Sequence, residues 1–183
     1  MLALCLAAAA ALPALDQMSL ARLHAGRTVA QAQLGEGTQG SSRAWTVAHV
    51  PPAQVWAIIT DHARFAEFMP HLEKIEISRR TERSERALQT VNAVVSTAKY
   101  ALDYSWDPDA QRVDFALAED VPHDVAKIRG HWQIWPFAGG TLIEYVSEVE
   151  LGRSVPGFIR SYLAERGAQD AVEAVRDRAQ AKN

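Results

Sequence analysis

The chain of 183 residues has a single cysteine, Cys5, and it lies within the Leu/Ala run LALCLAAAAALPAL. Beyond that run there is no thiol, which excludes disulfides and thiol chemistry from the remainder. Basic clusters are equally scarce. The formal net charge is −3, the isoelectric point lies near 6.1, and no block of Lys or Arg appears. Nucleic acid is therefore not an expected partner. Six histidines (His24, His49, His62, His71, His123 and His131) fall at no His-x-x-x-His or Cys/His spacing, so no metal set is assigned. The chain carries no GxSxG elbow, no P-loop and no dinucleotide fingerprint, and no cofactor is expected.

What is present begins with that Leu/Ala run. It matches a signal-peptide core in length and is short for a bilayer span. Ala11 and Ala14 are small residues suited to precede a cleavage site, although a basic n-region is missing. The expectation is removal of residues 1–14 and a periplasmic or secreted protein; an ordinary N-terminal helix is the alternative. Leu4 stands before Cys5 where lipid modification needs a small residue. Residues 15–25 read as a linker or short helix, and 26–183 as one domain. A hydrophobic fraction of 48% with 22% charged residues suits a soluble globular fold of that size.

Thr28–Leu34 and Arg43–His49 read as strands joined by the Gly/Ser-rich Gly35–Ser42. At Pro51-Pro52 the chain must change state, because proline cannot donate to a sheet ladder yet fits a first helical turn. Val55, Trp56 and Ile59 then form a helical stripe. Asp61 is placed to cap a short segment carrying Phe65, Phe68 and Met69, which Pro70 ends. These three large side chains read equally as core or as the rim of a pocket.

From Lys99 onward, apolar and polar residues alternate. Tyr100, Leu102, Tyr104 and Trp106 share one face, continued by Val113, Phe115 and Leu117. Ile128, Gly130, Trp132 and Ile134 follow, then Ile143, Tyr145, Ser147 and Val149. Segments of period two joined by short turns predict a one-sided antiparallel sheet. Val155–Ala179 predicts one long helix with Ala164, Ala168, Ala171, Val172 and Val175 on a single face and Phe158 and Tyr162 beside it. The fold class is α+β.

Three stretches carry a family resemblance: VPPAQVWAIITDHARFAEFMPHL (50–72), Arg129-Gly-His-Trp-Gln-Ile-Trp-Pro136, and Gly140-Thr-Leu-Ile-Glu-Tyr145 followed by Val155-Pro-Gly-Phe158. In this order they resemble the START-like (SRPBCC) superfamily, in its polyketide cyclase/dehydrase and coenzyme Q-binding branch. The resemblance implies a helix-grip fold: a curved antiparallel sheet wrapped around a long C-terminal helix, with two short helices after the first strand. It leaves function open, since this frame hosts carriers, enzymes and regulators.

Tyr100, Tyr104, Tyr145, Trp106 and Trp132 bring polar tips into an interior where an unpaired group costs about 1–3 kcal/mol. A helix offering alanine opposite them describes a cavity for an apolar ligand with a few oxygen atoms. The candidate ligand-binding set is Phe65, Phe68, Met69, Tyr100, Tyr104, Trp106, Phe115, Trp132, Ile134, Tyr145, Phe158, Tyr162 and Ala168. The competing reading is a core in which these aromatics fill the space that the alanines leave. No dedicated acid or base emerges, because Asp61 and His62 are adjacent and point apart. The expected function is non-catalytic binding or transport of a lipid-like or quinone-like molecule, with transient membrane contact. A cyclase/aromatase-like enzyme and an interaction module like the family's ribosome-associated toxin-like members are the alternatives.

Overall fold

Two prolines divide the N-terminal hairpin from the rest of the molecule. The computed structural model describes residues 11–93, 96–151 and 157–181, except for the side chains of residues 93, 96 and 157–165. Its elements begin α1 (Gln17–His24), β1 (Val29–Leu34), β2 (Gln39–Ala48), α2 (Pro52–Ile59) and a 3-10 helix (His62–Glu67). Six strands follow: β3 (Leu72–Arg80), β4 (Ser84–Ala93), β5 (Ser96–Asp107), β6 (Arg112–Leu117), β7 (Val125–Phe137) and β8 (Gly140–Leu151). The chain closes with α3 (Gly157–Gln180). All strands join one antiparallel sheet in the order β1-β2-β8-β7-β6-β5-β4-β3, an open curved sheet that holds α3 in the helix-grip manner.

Pro51 occupies the N-cap of α2 and Pro52 its first turn, where a missing N–H leaves no bond unmade. Val55, Ile58 and Ile59 are buried, whereas Trp56 sits half-buried at the edge of the stripe. Asp61 does stand at the N-cap of the 3-10 helix, but its carboxylate makes no capping bond. Its backbone carbonyl accepts from Arg64 N at 3.1 Å instead, as the tighter 3-10 turn requires. The β1–β2 hairpin is also tighter than the sequence implies. Its connection is only residues 35–38, because the ladder runs without a break from Val29↔Trp45 to Leu34↔Gly40.

The main core lies between the concave face and α3, built on Val55, Ile59, Trp132, Ile134, Ile143, Val172 and Val175. Gly130 is required by close approach. A Cβ there would strike the Val146 carbonyl oxygen and the Phe115 ring, so glycine lets that ring lie against β7.

The sheet is not one-sided. Trp45, Val47, Trp135 and Leu142 point away from α3 yet are buried, forming a second cluster with Leu23 and Val29. Within residues 15–25 it is the short helix that is found: α1 covers part of the convex face, Leu15 and Phe137 pack against this cluster, and Asp16 Oδ1 caps the helix by accepting from Ser19 N at 2.6 Å. Asp16 is held below the usual carboxylate range by those bonds to Ser19. The Leu/Ala run up to residue 10 lies outside the described residues.

Candidate functional site

Small residues on α3 decide where the site forms. Gly167, Ala168 and Ala171 of α3 help to line a cavity of about 290 Å³ on the concave side of the sheet. β5 contributes Tyr100, Leu102 and Tyr104, β6 Phe115, β7 Ile128 and Trp132, and β8 Tyr145, Ser147 and Val149. Phe65 comes from the 3-10 helix, and Met69 and Pro70 from the turn after it. Thr38, Gly40, Ser41 and Ser42 add a polar patch from the start of β2 and the turn before it.

Of the residues singled out in the sequence, Phe65, Met69, Tyr100, Tyr104, Phe115, Trp132, Tyr145 and Ala168 line this cavity. Phe68, Trp106 and Ile134 do not. Phe68 packs on the core under the Arg178 guanidinium, 5.5 Å from its ring centroid. Trp106 is half-buried near His62, and Ile134 is packed into solid core. The side chains of Phe158 and Tyr162 lie outside the described residues.

The aromatic side chains form one continuous wall. Successive ring centroids are 3.8 Å apart from His62 to Tyr104, 5.9 Å to Phe115, 5.6 Å to Tyr145 and 4.4 Å to Trp132. Burial raises the phenols of Tyr100, Tyr104 and Tyr145 above their ordinary range, so all three remain protonated donors.

Three polar side chains on this face escape a reading based on apolar alternation. Gln89 Nε2 donates to Tyr104 Oη at 2.7 Å. Behind Tyr104, His62 Nδ1–H donates to Glu85 Oε1 at 2.6 Å, and neither side chain is exposed. Among the described residues, His62 Nε2 and Glu85 Oε2 have no hydrogen-bond partner, although Arg80 Nε lies 3.5 Å from Glu85 Oε2. Burial depresses the His62 imidazole, against the pull of Glu85, and keeps the ring neutral near neutral pH. The one available signal was alternation in β4, which puts Glu85 and Gln89 on the same face as Ala87 and Val91. Pairing of Glu85 opposite Tyr104 in the ladder completes the arrangement.

The convex face holds a larger depression of about 690 Å³, lined mainly by charged and polar groups. Many of these already bind one another: Arg86 with Asp103, Arg112 with Asp114, and Arg129 with Glu148. Such a surface suits solvent better than an apolar ligand. Among the described residues no group of three metal-ligating side chains occurs, and no helix is long and apolar enough to cross a membrane.

A family model for polyketide cyclase/dehydrase and lipid transport matches residues 48–176, and the chain belongs to that family. Comparison with curated proteins finds no match. Among solved structures, a STAR-related lipid transfer protein of Xanthomonas axonopodis aligns with a TM-score of 0.72 at 14% identity, covering 82% of this chain and 93% of that one. A protein of Thermus thermophilus gives 0.69 at 19%, covering 78% and 99%. The Zhui aromatase/cyclase of Streptomyces gives 0.57 at 18%, covering 78% and 87%. At these identities the likeness establishes the fold. The family spans lipid transport and cyclisation, so the chemistry must be argued from the cavity.

Proposed function

We propose that the protein binds a hydrophobic small molecule, lipid-like or quinone-like, between sheet and α3 and carries it without covalent change. One observation carries this reading: a cavity of about 290 Å³ walled by aromatic side chains and bordered on α3 by Gly167, Ala168 and Ala171. Its size is close to the lower end of the range for small-ligand sites, about 300–1,000 Å³. A cyclase would need an acid or base at the ligand. The His62–Glu85 pair does not line the cavity, and the Tyr104 ring stacks on His62, which favours carriage. As a carrier it is expected to be exported after loss of residues 1–14 and to touch membranes transiently while loading. A mature chain beginning at Leu15 keeps both the Leu15 contact and the Asp16 cap.

The test is native mass spectrometry of freshly purified protein together with Ala168→Trp. A co-purified apolar molecule in the wild type, lost from a variant of nearly unchanged stability, supports the proposal. If the wild type carries nothing and binds no hydrophobic probe, while the variant loses about 1–3 kcal/mol through overpacking, the proposal fails. N-terminal sequencing of protein from its native cell tests export separately, and an intact Met1 in the cytoplasm would overturn it.

A further inference from the structure

The hydroxyl of Tyr104 is held more firmly than a side chain that merely fills space. Gln89 Nε2 has no lone pair, so the 2.7 Å contact makes Tyr104 Oη the acceptor and leaves the phenolic hydrogen directed elsewhere. Among the described residues no acceptor takes that hydrogen, and both Tyr104 and Gln89 line the cavity. The ring itself is fixed. His62 stacks on it at 3.8 Å with an interplanar angle of 28°, and Glu85 fixes His62 at 2.6 Å. A donor in a buried apolar wall that is left without an acceptor lowers stability. A ligand oxygen is what completes it.

The geometry points to Tyr104 as the specificity-determining residue of the cavity, donating its O–H to a carbonyl oxygen of a neutral, flat, largely apolar ligand. Gln89 sets the direction of the donated hydrogen, and His62 with Glu85 are positioning residues behind the ring. The continuing wall of Phe115, Tyr145 and Trp132 provides faces for a planar body. This inference rests on the cavity reading above and adds to it the functional group that is recognised.

Two probes of matched shape test it on the full-length protein: a hexanoyl-naphthalene and the corresponding hexyl-naphthalene, which lacks only the carbonyl oxygen. After correction for transfer from water, the wild type is expected to favour the ketone by about 3- to 10-fold, the worth of one hydrogen bond. The bound ketone's infrared carbonyl stretch should fall below its value in hexane. Tyr104→Phe should abolish both the preference and the shift. The infrared measurement needs no variant, so an unshifted stretch in the wild type overturns the role of Tyr104 even if Tyr104→Phe folds poorly. Hydrocarbon and ketone binding alike, with an unshifted stretch, would overturn the role of Tyr104 and leave the cavity reading standing. Exclusion of both probes by the wild type would overturn the two together.

Discussion

The two faces of the sheet are covered by helices of opposite character. Over the convex face, α1 lowers Leu23 into a cluster with Trp45, Trp135, Val47 and Leu142, and Leu23 is only 2% exposed. Over the concave face, α3 brings Gly167, Ala168 and Ala171 to a wall just as aromatic, and a cavity remains. Farther along, α3 supplies Val172 and Val175, and the packing is solid again. Beneath Leu23 the covering helix fills the space, whereas beneath Gly167, Ala168 and Ala171 it does not.

Each face also holds a histidine–carboxylate pair, and these differ in completeness. Glu144 on the convex side is fully bonded: Oε2 accepts from Trp45 Nε1 at 2.5 Å and Oε1 meets His131 Nε2 at 3.0 Å. Burial pushes the Glu144 carboxyl up, but the bonds from His131 and Trp45, together with the Arg43 charge, bring it net below its ordinary range. Among the described residues, Glu85 on the concave side has one oxygen without a hydrogen bond, and its histidine has one nitrogen without a partner.

The sharpest way to break this contrast is to remove one partner from each pair. His62→Ala is expected to cost about 3–5 kcal/mol, since it strands a fully buried carboxylate. Glu144→Ala should cost about 1–3 kcal/mol, since His131 retains access to water. Urea unfolding measures both, and equal losses would erase the distinction. Next in size comes the helix comparison. Leu23→Ala should cost about 2–5 kcal/mol by opening a void in a filled cluster. Ala168→Trp should cost under about 1 kcal/mol, because unlike an overpacking change it enters space that already exists.

The smallest effect lies in pH dependence. The folded His62 sits below its ordinary value of 6.5, so an unfolded chain takes up a proton there that the native chain refuses. Stability should therefore begin to fall as pH drops below about 6.5, and go on falling until the folded value is passed. Glu144 acts later: its contribution is complete above 4.5 and is lost as pH falls through its lower folded value. The double variant His62→Leu/Glu85→Leu should remove the first decline and keep the second, as read from melting temperature against pH. A first decline that survives in the double variant would assign it elsewhere.

The strands from Tyr100 to Val149 were legible because one of their faces meets a single apolar core, which imposes period two on the sequence. Legibility failed where burial and polarity part company. In β4 it is Glu85 and Gln89 that point inward, while Leu88, on the opposite face, is 43% exposed. Hydropathy therefore reads that strand upside down. The convex cluster was hidden for a related reason. Trp45 and Trp135 lie on the face opposite the main core, and there they are buried in a cluster with Leu23 of α1. Alternation showed that Tyr104 faces inward, but a bond to a residue fifteen positions away depends on ladder register, which no local pattern encodes.

The strand order has a kinetic consequence. From β3 to β8 every strand pairs with its neighbour in sequence, whereas β2 must find β8 across a separation of 111 residues, as between Gln39 and Glu150. Closing so long a loop is favourable only once the meander it joins is in place, because chain entropy is lost before contacts return it. The expected sequence is a meander that forms first, followed by a seam that zips β2 onto it and brings α1 and β1 along. The cavity takes its walls from both β2 and the meander, so it is complete only when that late seam has closed.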